Sequence, residues 1–257
     1  MKQKFQLHTN TSLSDKEFLS FVEEFPRRGT QLYKGTRNEL RFEKIGDVCV
    51  NIKHFKTPHF INRLAYHYIR KSKAERSFLY ASKLISLGIG TPKPLAFLDK
   101  YSLFGTLDSY YASEHIEADF SFRELENFTD TKLRDEVLKA FAGFTYQMHE
   151  KNIYFKDHSR GNTLMKKEGD SYQFYLVDLN RMQFKSLSVE ERIQNFERLS
   201  TNEEVIKVMA YAYADLIQLP REEVFQKMKS YAIAYHDGFK NKQARKNMWL
   251  FWRKKKS

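Results

Sequence analysis

Apolar and polar positions alternate over residues 29–56, GTQLYKGTRNELRFEKIGDVCVNIKHFK, where Leu40 and Phe42 stand between charges and Val48, Val50 and Ile52 share one face. Period-two alternation predicts strands, and Gly46-Asp47 between the runs predicts a hairpin, so an antiparallel sheet is expected here. From Lys73 to Leu87 the spacing lengthens to three and four (Phe78, Ala81, Ile85), with Gly88 as a stop, which predicts a helix. Further strands are expected at Pro94–Leu98 and Tyr110–His115. The clearest helix is Thr131–Lys151, whose Leu133, Val137, Phe141, Phe144 and Met148 form one apolar stripe. Short strands follow at Ile153–Phe155 and Phe174–Val177, with Asn162–Met165 between them and a polar turn at Lys166–Asp170. Ser188 with Glu191, and Thr201 with Glu204, have capping-box spacing and predict two more helices. A third is expected after Pro220. The order is a β-rich first third carrying one helix, then a mainly helical remainder: an α+β chain in two lobes, divided as 1–116 and 117–257.

The 257 residues include 22 Phe and 15 Tyr but only ten Gly and five Pro, which supports a sizeable core and excludes low-complexity disorder. No run approaches the roughly 20 apolar residues of a spanning helix. The N-terminal MKQKFQLHTNTSLSDK lacks the apolar block of a signal peptide, and Cys49 has no second cysteine to pair with, so a cytoplasmic location is expected. Lys and Arg exceed Asp and Glu by 44 to 32, which favours anionic partners without choosing among them.

Four segments fall in the order that phosphoryl transfer from ATP requires. Lys53 closes the alternating run Val50-Asn51-Ile52, where a strand lysine is placed to hold nucleotide phosphates. Glu75, 22 residues later at the start of the Lys73–Leu87 helix, is placed to hold Lys53. Third is Phe155-Lys156-Asp157-His158-Ser159-Arg160-Gly161-Asn162, an Asp-x-x-x-x-Asn directly after a helix and a short strand. In such a loop the Asp accepts the proton of the attacking hydroxyl and the Asn binds a metal ion. Fourth is Asp178, ending the apolar Leu176-Val177, a hard-oxygen ligand suited to Mg²⁺. Singly, each has a plain structural reading: a solvated lysine, a helix-start acid, a turn, a strand-end acid. Jointly they point to a kinase.

The loop Lys156-Asp157-His158-Ser159-Arg160-Gly161-Asn162-Thr163-Leu164 resembles the K-D-x-S-x-G-N-x-L catalytic loop of the bacterial lipopolysaccharide core kinases of Kdo/WaaP type. Asp178-Leu179-Asn180-Arg181 resembles that family's D-L-N-R metal motif, and the similarity runs from about Gly29 to Phe184. The resemblance implies a two-lobed protein-kinase-like fold and an ATP- and Mg²⁺-dependent enzyme phosphorylating Kdo or heptose of the inner core. It assigns Asp157 to catalysis, Asn162 and Asp178 to metal, Lys53 and Glu75 to the nucleotide, and backbone groups of a hinge at Glu114 and Ile116 to adenine. A G-x-G-x-x-G loop is absent, with only Gly35 in Tyr33–Asn38. Nine residues between Asp178 and Ser188 are too few for a long activation segment, which favours a glycan acceptor over a protein one.

His149 and His158 have no second ligand at metal spacing and read as structural. Ser159 and Arg160 are candidates for phosphoryl contact, and Glu117 and Asp119 for ribose hydroxyls or a local cap. The last thirteen residues carry six Lys/Arg, no acid, and Trp249, Leu250, Phe251 and Trp252. That composition suits either a final packed helix or a peripheral contact with an anionic inner-membrane surface, which a lipid-linked sugar acceptor requires. No nucleic-acid-binding motif is present. A protein Ser/Thr/Tyr kinase and a silent nucleotide-binding scaffold are the alternatives.

Overall fold

The computed structural model describes residues 2–9, 11, 13–56, 71–102 and 105–254; of residues 102, 105, 106 and 242–254 only the backbone is described. The chain divides into two compact units, Met1–Glu117 with Tyr175–Asn180, and Ala118–Phe174 with Arg181–Ser257.

The first unit is built on a six-stranded antiparallel sheet. Its elements are β1 (Lys2–Leu7), α1 (Asp15–Glu24), β2 (Thr30–Lys34), β3 (Asn38–Ile45), β4 (Val48–Phe55), α2 (Lys73–Ser86), β5 (Pro94–Ser102) and β6 (Gly105–Glu114). The strand order is β1-β5-β6-β4-β3-β2. The expected hairpin closes with Ile45 opposite Val48, and its two-residue turn places Gly46 at φ +59°, where glycine meets no Cβ penalty. Alternation sends the side chains of β4 to two cores. Val50 and Ile52 pack with Leu98 and Ala112 against Phe18, Phe21 and Val22 of α1. Phe55, on the opposite face, packs with Phe97 against Ala74 and Phe78 of α2. Lys53, two residues before Phe55, lies on the α2 face.

Two elements go beyond the sequence expectation. β1 adds to the sheet edge with Lys4 opposite Asp99, and α1 starts at a capping box in which Ser14 and Glu17 satisfy each other's backbone amides.

The second unit contains β7 (Phe120–Ser121), α3 (Phe122–Leu125), α4 (Thr131–Glu150), β8 (Ile153–Phe155), β9 (Thr163–Glu168), most of β10 (Ser171–Leu176), β11 (Met182–Phe184), α5 (Val189–Gln194), α6 (Glu203–Ile217) and α7 (Arg221–Lys254). Val137, Phe141, Phe144 and Met148 of α4 are buried as their stripe predicts, and α4 packs on α6, which packs on α7. The Ser188–Glu191 box caps α5. Thr201 does not cap α6. Its neighbour Asn202 does, because the Asn202 amide oxygen reaches two orphan donors, Glu204 N at 3.0 Å and Val205 N at 3.4 Å. The C-terminal segment continues as one helix to Lys254; the side chains of Trp249 to Trp252 lie outside the described residues. No helix among the described residues is long and apolar enough to cross a membrane.

Candidate active site

In the first unit, Lys53 sits mid-sheet on β4, with Leu40 of β3 and Tyr111 of β6 as its cross-strand neighbours. Its ammonium is 2.8 Å from Asp178 Oδ1 and 5.4 Å from the centre of the Phe55 ring. Asp178 follows the end of β10, which is tied down locally: Leu176 N donates to Gly90 O at 2.9 Å and Thr91 Oγ1 to Leu176 O at 2.8 Å. Asp178 itself adopts φ +59°, a left-handed backbone that a short polar side chain tolerates and that few other residues would adopt. Asn180 Nδ2 donates to the same Oδ1 at 2.6 Å. One carboxylate oxygen is therefore doubly engaged.

Glu75 is not the partner of Lys53. Its carboxylate accepts from Lys4 at 2.8 Å and faces Lys71 at 3.8 Å. The reason is topological: β1 on the sheet edge delivers a lysine to the buried carboxylate, so the expected Lys53–Glu75 pair is replaced by Lys53–Asp178 and Lys4–Glu75. Ser72 Oγ accepts from Glu75 N at 2.9 Å and fixes this first turn of α2. At the expected hinge, Glu114 N donates to Lys93 O (2.9 Å) and His115 N to Cys49 O (2.8 Å), with Ile116 half-buried next in the chain. The Glu114 carboxylate lies 3.4 Å from Lys93 Nζ.

In the second unit, the loop after β8 closes on itself. His158 N donates to Phe155 O at 3.0 Å, Asn162 N to Ser159 O at 2.9 Å, and Asn162 Nδ2 to Asp157 O at 2.8 Å. Asp157 is largely buried, and its Oδ1 accepts from Arg181 Nη1 at 3.0 Å and from Arg198 Nη1. The same Arg198 nitrogen donates to Lys156 O at 2.7 Å, and its guanidinium lies over Tyr235 of α7 at 5.3 Å. Arg160 pairs with Glu126 at 3.1 Å, and Ser200 donates to that carboxylate too. Asp119 accepts from Lys167 N at 2.7 Å, a local backbone bond.

Beneath the loop stand both histidines, fully buried and structural as expected. His149 donates from Nε2 to Asn195 Oδ1 (3.1 Å) and accepts at Nδ1 from Tyr213 OH (2.7 Å); Asn195 Nδ2 in turn donates to Phe155 O at 3.0 Å. His158 stacks on Phe141 at 5.3 Å with 9° between the rings. Thr145 Oγ1 spends its proton on Phe141 O at 3.0 Å, so His158 Nε2 is the donor in the 3.3 Å contact to Thr145, and Nδ1 has no partner among the described residues. Burial holds His149 down to about 4, against the bond to Asn195, and His158 down to about 3.

Chemically, the first unit presents a strand lysine on a carboxylate, a pair suited to phosphate and metal. The second presents a buried carboxylate aimed by two guanidiniums. Among the described residues no three His, Cys, Asp or Glu gather as a metal cluster, so a metal would draw ligands from a carboxylate, an amide, substrate and water. Arg181 lies in the D-L-N-R segment but carried no role in the sequence reading. Arg198 has no local signal at all, standing 41 residues from the carboxylate it holds.

No curated protein matches the chain. Among solved structures it is similar to WaaP in complex with acyl carrier protein, at a TM-score of 0.57 and 12% identity, over 84% of this chain and 88% of that one. That likeness shows a kinase-like fold. The model of the lipopolysaccharide kinase (Kdo/WaaP) family matches residues 27–249, and the chain belongs to that family.

Proposed function

We propose that this lipopolysaccharide kinase transfers the γ-phosphoryl group of ATP, with Mg²⁺, to a sugar hydroxyl of the lipopolysaccharide inner core, on Kdo or heptose. The observation that carries this reading is Asp157: a carboxylate fixed by Arg181 and Arg198 in a loop closed by Asn162, within a chain of this family. Asp157 orients the acceptor O–H and takes its proton as the acceptor oxygen bonds to the γ-phosphorus and the bond to the β-phosphate oxygen breaks, releasing ADP. Because Asn162 Nδ2 is spent on Asp157 O, its Oδ1 is the atom left for a metal. On Asp178, Oδ1 is engaged by Lys53 and Asn180, which leaves Oδ2. These hard oxygens fit Mg²⁺, which supplies charge neutralisation of the phosphates when bound. Lys53 binds phosphate, and Glu75 holds the first turn of α2 in register with β1. With the amides of Glu114 and His115 already bonded, the amide of Ile116 is the hinge donor assigned to adenine.

The first unit is assigned to the nucleotide and the second to catalysis and acceptor. The basic, Trp-bearing segment after Lys240 is assigned to peripheral contact with the anionic inner-membrane surface where a lipid-linked acceptor resides.

The test is transfer of label from [γ-³²P]ATP to purified core glycolipid. Asp157→Asn and Asp178→Asn should each lower kcat by about a thousandfold or more, with far-UV circular dichroism unchanged. Label appearing in polypeptide, or undiminished turnover in both variants, overturns the reading.

A further inference from the structure

Lys73 is a lysine in an unfavourable place. It occupies the first position of α2, directly after the N-cap Ser72, where the helix dipole is positive and cations are disfavoured. Its ammonium lies 5.6 Å from the centre of the Phe55 ring, the ring that Lys53 approaches to 5.4 Å, so both lysines share one aromatic side chain on the α2 face of the sheet. Among the described residues Lys73 forms no ion pair. Asp178, a carboxylate that acts on it, is already paired with Lys53, while Arg37, Lys53 and Arg76 act on it as like charges.

The second cation, Arg37, is held by the turn between β2 and β3. That turn is pinned to the end of β4: Lys56 N donates to Arg37 O at 3.1 Å, Lys56 Nζ to Gly35 O at 3.1 Å, and Asn38 stands opposite Phe55 in the β3–β4 register. The Arg37 side chain is exposed and has no ion-pair partner among the described residues. Burial sets Lys73 below the ordinary lysine range, Asp178 opposes this, and the neighbouring cations add to it. Lys73 and Lys53 on one aromatic ring, with Arg37 acting on Lys73 from the pinned turn, make a concentration of positive charge, partly removed from water, that an anion relieves.

We propose that Lys73 and Arg37 join Lys53 in a cationic cradle for a polyphosphate chain, replacing with side-chain charge the backbone amides that a glycine-rich loop supplies in other kinases. This turn has a single glycine, Gly35, at which an added Cβ would come within 2.5 Å of Tyr33 Oη, so the backbone there is already closed in by a side chain. Side chains, not amides, are what this turn has to offer. The cradle rests on the nucleotide reading given above for its occupant, the triphosphate of a nucleotide.

The experiment is isothermal titration calorimetry of the full chain with ATP, inorganic tripolyphosphate and AMP in the presence of Mg²⁺. The variants are Lys73→Met, which keeps an unbranched apolar stem against Phe55, and Arg37→Gln, which alters an exposed turn side chain and leaves the core untouched. Lys73→Met should weaken ATP and tripolyphosphate about tenfold, the loss of one charged hydrogen bond, and leave AMP within about twofold. Arg37→Gln should act in the same direction. Wild-type affinity for ATP in both variants overturns the cradle and leaves the nucleotide reading standing. Tripolyphosphate binding that is lost in Lys73→Met, in a wild-type protein that ignores ATP, overturns the nucleotide reading and upholds the cradle. A wild-type protein that binds neither overturns both.

Discussion

The two histidines under the catalytic loop make folding stability depend on pH with a definite sign. Both are held neutral in the folded chain, His149 down to about 4 and His158 down to about 3, chiefly by burial. Around His158 the charged groups are Arg198 and, when protonated, His149; around His149 they are Arg192 and Glu150. Above pH about 6.5 the folded and unfolded chains both carry neutral histidine and nothing is lost. Below it the unfolded chain takes up protons that the folded chain refuses, until the pH reaches the depressed folded values. Stability therefore falls with pH across that window, by about 1 kcal/mol per pH unit for each histidine. Across the window, about 3 kcal/mol comes from His149 and somewhat more from His158, a large share of the roughly 5–15 kcal/mol that holds a domain together.

The perturbation that isolates this is His158→Phe. A phenyl ring can keep the stack on Phe141, and it removes an imidazole nitrogen that is buried without a partner among the described residues. What it loses is one 3.3 Å contact to Thr145. Urea denaturation at pH 5.0, 6.0 and 7.0 gives the difference in unfolding free energy between the variant and wild type, in which the carboxylates common to both cancel. That difference should move in favour of the variant by about 1 kcal/mol per pH unit as pH falls below about 6.5. Parallel stability curves would refute the reasoning, because they would mean that His158 takes up its proton in the folded state.

Two further outcomes follow from the same unit. His149→Ala strands Asn195 Oδ1, takes from Tyr213 OH its acceptor while leaving its bond with Arg192, and opens a cavity in a fully buried site, so chemical denaturation should show a loss of about 3–5 kcal/mol; a loss under about 1 would mean the network is absent. Arg198→Ala removes a donor from both Asp157 and Lys156 O, so kcat should fall at least about tenfold with KM for ATP unchanged. Added guanidinium ion should restore part of it, which a purely structural defect would not allow.

Much of this was legible in the chain. The β3–β4 hairpin reads directly because its period-two pattern surrounds a two-residue turn with a glycine at positive φ. Asp157, Asn162 and Asp178 stand at strand ends, where sequence context marks them. What escaped is mostly long-range. β1, KQKFQL, offers only Phe5 and Leu7 to alternate and is an edge strand whose pairing with β5 lies about 95 residues away in sequence. Its Lys4 took the Glu75 partnership, and no local pattern announces a pair 71 residues apart. α1 is different: Ser14 and Glu17 carry the capping-box spacing, a readable signal that the expected β-rich start obscured. At α6, Thr201 and Asn202 are adjacent cap-competent residues, and the amide oxygen of Asn202 won by reaching two donors.

The D-L-N-R segment shows why spacing could name the residues but not their partners. Within four residues the chain passes from the first compact unit to the second: Asp178 and Asn180 belong to one, Arg181 to the other. Asp178 bonds inward to Lys53 of its own unit, and Arg181 to Asp157 of its own. Among the described residues the side-chain bonds to the Asp157 carboxylate come from cations, Arg181 and Arg198, while the groups packed beneath its loop, His149, His158 and Asn195, are uncharged. A protonated His158 would add a positive charge beside Arg198. Neutral histidines spare Arg198 that like charge, so the burial that makes the fold sensitive to acid also leaves undisturbed the guanidinium that holds Asp157.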